Sequence, residues 1–134
     1  MEFFAELDNA GLDAARLQET LTIGALPRYC ASIETVLDDR DDDTGSIYTV
    51  WGPLEVQRQR IITGLRFSLL DCPNAVTWSI TAEEDGRVLI HATINRPTHD
   101  PDFIETLQQF VADWRDGLQR LAPGSHSVAP LPNG

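Results

Sequence analysis

Three side chains that can bind or transfer charge lie in the middle of the chain, each in a segment where polar and apolar residues alternate: Arg66, Ser79 and His91. The planar guanidinium of an arginine can hold a carboxylate or a phosphate through two parallel hydrogen bonds. A serine hydroxyl both donates and accepts hydrogen bonds, and an imidazole can exchange a proton near neutral pH. If the three side chains share one face of a sheet, that face is predicted to bind a small anionic ligand or a partner protein.

The sequence around Arg66 is locally basic within an acidic chain. The whole chain carries 21 Asp and Glu against 10 basic residues, a formal net charge of −11. Residues 47–70, in contrast, contain a single acid, Glu55, and three arginines. Arg58 and Arg60 join Arg66 on the same face if the break between their strand and the strand of Arg66 preserves the alternation. The expected binding residues are therefore Arg66, Ser79, His91, Arg58 and Arg60.

The same polar residues have a simpler structural interpretation. Antiparallel sheets commonly leave one face in water, and serine and threonine are ordinary residents of such a face. Arg66 can also pair with Glu55 or Glu83 across strands, an interaction that contributes only about 0.2 to 1 kcal/mol and implies no function.

An enzymatic alternative uses His91 as a general base and Arg66 to hold an anionic substrate, as in a small hydrolase or isomerase. It requires a nucleophile such as Ser79 or Ser68 within hydrogen-bond reach of the imidazole. It also requires a third group that orients the ring. The sequence defines no such partner for His91, so a binding or accessory protein is the favoured interpretation.

No metal or cofactor motif is complete. The acidic run at residues 38–43 resembles a calcium loop, but Thr44 stands where the loop needs glycine and Val50 where it needs glutamate. A solvated loop, or a regulatory segment that acts through its charge, is the alternative interpretation. His99 lies close to two acids that a helix cap explains, and neither a Cys-x-x-Cys pair nor a glycine-rich dinucleotide fingerprint is present. We therefore expect no metal and no cofactor.

Composition excludes several further classes. A chain this negative repels phosphate backbones, so nucleic acid is not an expected partner. All ten basic residues are arginine, which excludes P-loop and Schiff-base lysines. The first residues are acidic, unlike a secretory signal, and the apolar runs are far too short to cross a bilayer. We expect a cytoplasmic protein without a membrane partner, in which the polar face or a strand edge could also pair two copies as a homodimer.

The elements that position these residues follow from periodicity. Apolar residues recur on one helical stripe from Phe103 to Leu121, with Asp100 as N-cap and Pro101 at the first helical position. In the middle of the chain, apolar and polar residues alternate with the two-residue period of a β-strand. This alternation occurs in four segments: 46–58, 65–69, 76–82 and 88–94. Their short connections, such as Asp85-Gly86, favour an antiparallel meander.

The first 45 residues are predicted to be mainly helical, with short helices near residues 3–7 and 12–21. Residues 27–38 fit helical spacing and strand alternation equally well, and helix is favoured. The sequence thus predicts a two-layer α+β fold: about four antiparallel strands, N-terminal helices, and a long C-terminal amphipathic helix on one face. Residues 1–122 are expected to form one domain, and residues 123–134, rich in Pro, Gly and Ser, a flexible tail.

Overall fold

Seven antiparallel strands form a single sheet in a computed structural model that describes residues 1–8, 10–41, 43–96 and 100–122. In chain order the elements are β1 (Glu2–Leu7), α1 (Ala14–Thr20), a 3₁₀ turn (Ile23–Ala25), α2 (Leu26–Tyr29), β2 (Ile33–Asp39), β3 (Thr44–Thr49), β4 (Gly52–Ile61), β5 (Gly64–Leu69), β6 (Thr77–Ala82), β7 (Val88–Thr93) and α3 (Pro101–Leu121).

The sheet is a meander with one added strand. Its spatial order is β1-β7-β6-β5-β4-β3-β2, so β2 to β7 follow one another as neighbours and β1 lies beside β7. The predicted α+β fold, with an antiparallel sheet and a long C-terminal helix packed on it, is confirmed. The expected number of about four strands is wrong, because three of the seven strands were not recognised from the sequence pattern.

One of the hidden strands comes from a misread turn. Thr49 is the register partner of Gly52, so the chain reverses at Val50 and Trp51 and the segment 46–58 is a hairpin rather than one bent strand. Gly52 adopts a φ of +103°, which a residue with a Cβ rarely adopts. The Gly-Pro pair therefore begins β4 instead of bending a single strand.

The second hidden strand is β1, where a short helix was expected. Phe3 and Leu7 are buried while Phe4 is 57% exposed. The segment therefore alternates as a strand does, and it pairs along its whole length with β7. An exposed aromatic residue in the middle of the segment obscured this alternation, and the partner strand lies more than 80 residues away in the sequence.

The third hidden strand lies in the ambiguous segment. Residues 26–29 form the single turn α2, and Ile33–Asp39 then forms the edge strand β2. The expectation of a helix across residues 27–38 is thus wrong beyond Tyr29. Strand pairing with β3 determines the rest of the segment.

The three helices cover one face of the sheet, which we call the inner face. Helix α3 begins as expected: Asp100 accepts a hydrogen bond from the backbone N–H of Asp102 at 2.9 Å, and Pro101 opens the helix. Asp13 caps α1 in the same way. The buried residues of α3 form one stripe: Leu107, Phe110, Val111, Trp114, Gly117 and Leu118.

Four aromatic rings fill the space between the sheet and α3. Trp78 packs edge-on against Phe110 at 4.9 Å and stacks on Phe67 at 5.1 Å between ring centroids. Trp114 lies 6.2 Å from Phe67 and 6.3 Å from Trp78. All four side chains are 0–1% exposed, and aromatic contacts of this kind add about 0.5 to 1.5 kcal/mol each beyond area burial.

Some expectations fall on residues outside the described ranges: Asp42, His99 and the tail at residues 123–134. Within the described residues, no helix combines the length and the apolarity that crossing a bilayer requires.

Candidate functional site

The strand register aligns polar side chains in a row across the face opposite the helices, which we call the outer face. Gln59 is the partner of Arg66, Arg66 of Ser79, Ser79 of His91, and His91 of Phe4. Residues directly opposite in neighbouring strands project from the same face. With strands roughly 4.8 Å apart, Arg66 and His91 flank Ser79 within about 10 Å.

A shallow cavity of about 310 Å³ lies at this row, and we call it the outer-face pocket. Its lining residues come from β4, β5, β6 and β7: Ile61, Arg66, Thr77, Trp78, Ser79, His91 and Thr93. Three of them are hydroxyl residues, one carries a guanidinium and one an imidazole. The pocket therefore offers hydrogen-bond donors and one fixed positive charge to a small molecule.

Arg66 makes no ion pair or side-chain hydrogen bond to any other described residue. Of the two carboxylates expected to pair with it, Glu55 binds Arg40 and Ser46. The other, Glu83, accepts a hydrogen bond from Thr81 at 3.0 Å. The cross-strand ion pair that was one structural interpretation of Arg66 is therefore not formed among the described residues, and its five N–H donors face solvent or a ligand.

His91 is held by two residues of β1. Its Nε2 lies 2.7 Å from Glu2 Oε1, and its ring stacks on Phe4 with centroids 4.5 Å apart and an interplanar angle of 4°. Sequence reasoning missed both partners because it assigned this segment to a helix. The signal that could have found them is the alternation of Glu2, Phe4 and Glu6 with apolar residues.

Arg58 and Arg60 lie on the inner face, which corrects the prediction that they join Arg66. In the register of β4 with β5, Arg58 is opposite Phe67 and Arg60 is opposite Leu65. Phe67 and Leu65 are both core residues. The hairpin between β4 and β5 thus reverses the expected parity. Arg60 is exposed, while Arg58 is only 2% exposed.

The buried Arg58 stabilises the C-terminal end of α1. Its Nε donates to the carbonyl oxygen of Leu21 at 2.9 Å, and Nη2 donates to that of Gln18. Its Nη1 lies 3.8 Å from Asp43 Oδ1. The last carbonyls of a helix lack partners within the helix and carry partial negative charge, so a cation there is favourable. This arginine has a structural role rather than a binding one.

Among the described residues, no group of three His, Cys, Asp or Glu side chains is arranged to hold a metal ion. In the acidic run, Asp41 accepts hydrogen bonds from the backbone N–H groups of Asp43 and Thr44, both at 2.8 Å, which lowers the pKa of its carboxyl group. Asp41 thus closes the β2–β3 turn. Burial raises the pKa of the Cys30 thiol, which makes it a poor nucleophile or metal ligand.

Comparison with known proteins identifies the fold but not a family. No protein-family model matches the chain, and no curated protein matches its sequence. Among solved structures, the chain resembles the protein XoxI of Bacillus cereus, with a TM-score of 0.57 and 12% identity over 91% of this chain and 94% of that one.

Two further structures are similar to the same extent. An uncharacterised protein of Bacillus thuringiensis matches with a TM-score of 0.59 and 12% identity, over 90% of this chain and 98% of that one. A START superfamily protein of Mycobacterium smegmatis matches with a TM-score of 0.58 and 12% identity, over 90% and 97%. At this identity the likeness shows a shared fold alone.

Proposed function

We propose that this protein binds a small anionic ligand, such as a compact carboxylate, in the outer-face pocket, with Arg66 as the anchor. The observation that carries the proposal is the unpaired guanidinium: in a chain with a net charge of −11, Arg66 has no acidic partner among the described residues. A carboxylate supplies two oxygens at the spacing that the guanidinium fork accepts.

The other lining residues fit the same ligand class. Ser79 is the register partner of both Arg66 and His91, so its hydroxyl can hydrogen-bond a ligand held between the two. Thr77 and Thr93 are partners of each other and add two hydroxyls beside it. At about 310 Å³ the pocket has the size of the smallest ligand sites, which suits a metabolite-sized anion. The START-like fold of a structural neighbour also supports a ligand-binding role.

A ligand between the sheet and α3 would require more rearrangement. The four aromatic rings already fill that space, although the indole N–H groups of Trp78 and Trp114 are buried there without a hydrogen-bond acceptor among the described residues. A ligand with an acceptor atom would satisfy those donors, but only after displacing packed rings. The outer-face pocket is open without such a change.

Arg66→Glu is expected to weaken binding of a small carboxylate at least tenfold, which corresponds to about 1.4 kcal/mol. The substitution places a negative charge where the ligand carboxylate would lie. Arg60→Glu is the matched control, because it makes the same charge change in the neighbouring strand but on the inner face. Calorimetric titration against acetate, benzoate, citrate and phosphate gives the affinities, and amide NMR spectra locate the site.

Two outcomes would contradict the proposal. One is an equal loss of affinity in both variants, which would indicate a general charge effect. The other is tight binding that is unchanged by Arg66→Glu and alters the fluorescence of the buried tryptophans, which would locate the ligand between the sheet and α3.

A second candidate function is catalysis at His91, which the contact between Glu2 and His91 favours. This carboxylate supplies the orienting group that a general base needs. Ser79 lies opposite His91, although no hydrogen bond joins the two in the described structure. Hydrolysis of 4-nitrophenyl esters tests this candidate: turnover abolished by both His91→Gln and Ser79→Ala would support it, and absence of turnover in the parent protein would exclude esterase activity.

A further inference from the structure

The open edge of β1 is a second surface with its own geometry. Strand β1 forms one end of the sheet, and its pairing with β7 begins where Met1 and Ile94 exchange backbone hydrogen bonds. In an antiparallel ladder, alternate residues direct their N–H and C=O groups toward the partner strand. Glu2, Phe4 and Glu6 therefore direct theirs to the open side, at the spacing of an incoming strand.

A groove of about 470 Å³ runs along this edge, between β1 and α3. We call it the edge groove, and it is lined by Glu2, Phe3, Phe4, Ala5, Gln108, Val111, Ala112 and Arg115. Its β1 wall carries backbone groups that form no hydrogen bond with any residue the structure describes, and its α3 wall contributes the apolar side chains of Val111 and Ala112. An incoming strand can form backbone hydrogen bonds with these peptide groups, and its alternate side chains can pack on the apolar surface.

Charge on the edge indicates what kind of strand fits. The side chains of Glu2 and Glu6 lie on either side of Phe4 and remain 59% and 47% exposed. Arg87 pairs with Glu6 at 2.7 Å but is shared with Asp85, also at 2.7 Å. Arg115 also lines the groove, and it lies 3.5 Å from Asp116. Four carboxylates, Glu2, Glu6, Asp85 and Asp116, thus stand against two arginines, which leaves the edge negative and favours basic residues opposite Glu2 and Glu6.

We propose that the edge groove binds an extended, basic segment of a partner protein, which adds to the sheet as a strand beside β1. Alternate apolar side chains of the segment enter the groove against Val111 and Ala112. The intervening side chains include basic residues that face Glu2 and Glu6, with an aromatic or aliphatic residue opposite Phe4. This surface adjoins the proposed anion site, because Glu2 and Phe4 contact His91, but it does not include Arg66, which anchors that site.

A second copy of the chain fits this edge poorly. Antiparallel pairing of two β1 strands about Phe4 places Glu2 of each copy opposite Glu6 of the other. Like charges directly opposite are destabilising, and each copy carries a net charge of −11. The chain's own residues 123–134 also fit poorly, because prolines at three of these positions lack the N–H group that a ladder needs.

The test uses the full chain and a labelled synthetic peptide, Gly-Arg-Val-Tyr-Val-Arg-Gly, followed by fluorescence polarisation. Saturable binding is expected. A peptide N-methylated at its tyrosine should bind at least tenfold more weakly, because it lacks the N–H that pairs with β1. A peptide with both arginines replaced by glutamate should also bind at least tenfold more weakly.

Two substitutions in the protein separate backbone from side-chain effects. Phe4→Pro removes one outward N–H, which an edge strand tolerates, and is expected to weaken peptide binding at least tenfold. Phe4→Ala also removes the ring but keeps the backbone N–H. Its loss of peptide affinity should therefore be several-fold smaller than that of Phe4→Pro. Ala112→Gln narrows the groove from α3 without touching β1 and should also weaken binding, which keeps the test valid if Phe4→Pro fails to fold.

Amide hydrogen exchange distinguishes the occupants. The outward amides of Glu2, Phe4 and Glu6 should exchange rapidly in the free protein and become protected when the peptide is added. Protection already present in the free protein would overturn the proposal: it would indicate a second copy if it depends on protein concentration, and the chain's own residues if it does not. Absence of peptide binding, or equal binding by the Phe4→Pro and Phe4→Ala variants, would overturn it as well.

Discussion

Arg58→Ala is expected to lower the free energy of unfolding by about 3 to 5 kcal/mol, one of the two largest single-residue effects we expect in this protein. The side chain is 1% exposed, so its removal leaves a cavity beneath α1. It also leaves the carbonyl groups of Gln18 and Leu21 without the donors that satisfy them. A buried carbonyl without a partner costs about 1 to 3 kcal/mol. Urea denaturation of parent and variant gives the difference directly.

Two control variants separate the effect of the hydrogen bonds to the end of α1 from the effect of removing a charge. Arg60→Ala removes an arginine two residues away on the same face, where it is exposed, and should change stability by no more than about 0.5 kcal/mol. Asp43→Asn removes the charge of a carboxylate that is 66% exposed, so it should cost less than about 1 kcal/mol. If Arg58→Ala costs no more than Arg60→Ala, the carbonyl contacts at the end of α1 contribute nothing to stability.

The sequence pattern was sufficient where neighbouring strands are joined by short turns. In β5, β6 and β7 the alternation of large apolar residues defines which side chains enter the core, and short hairpins keep the strands in register. Arg66, Ser79 and His91 could therefore be assigned to one face from the sequence alone. Helix α3 could be delimited for a similar reason, because its cap and its stripe are local properties of the chain.

The sheet face predicted for Arg58 was wrong, although the alternation within its own strand indicates the correct face. Leu54 and Val56 have the same parity as Arg58, so the apolar phase of β4 already pointed this arginine toward the core. The prediction instead made the face of Arg58 depend on whether the break between its strand and the strand of Arg66 preserves the alternation. The hydrogen bonds to the end of α1 help to make this burial favourable, and they join residues about 40 positions apart.

The residues around His91 and the edge groove could not be found because they depend on β1. This strand pairs with the last strand of the sheet and borders α3, so its surroundings are set by parts of the chain far away in the sequence. Its apolar Phe4 occupies an exposed position and breaks the local pattern. Strand β1 contributes to both proposed surfaces. Glu2 and Phe4 contact His91, which lines the outer-face pocket, and the same two residues line the edge groove.

Gly117→Ala is expected to destabilise the protein by about 3 kcal/mol or more, although replacing glycine with alanine inside a helix normally stabilises it by up to about 1 kcal/mol. A Cβ at this position would overlap the carbonyl oxygen of Tyr29 and lie 2.5 Å from its carbonyl carbon. These are backbone atoms of α2, so no side-chain rotation relieves the overlap and the two helices must separate. The hydrogen bond from Arg120 to the carbonyl oxygen of Arg28, at 2.9 Å, would be lost as they part.

Asp116→Ala is the matched control for this substitution, because it adds helix propensity at the exposed neighbouring position and disturbs only a 3.5 Å surface ion pair with Arg115. Its stability should stay within about 0.5 kcal/mol of the parent. Amide NMR spectra of Gly117→Ala should show the largest shifts in α2, around Tyr29. A Gly117→Ala variant as stable as Asp116→Ala would mean that α2 and α3 do not approach each other this closely in solution, since the close approach is the only reason for the penalty.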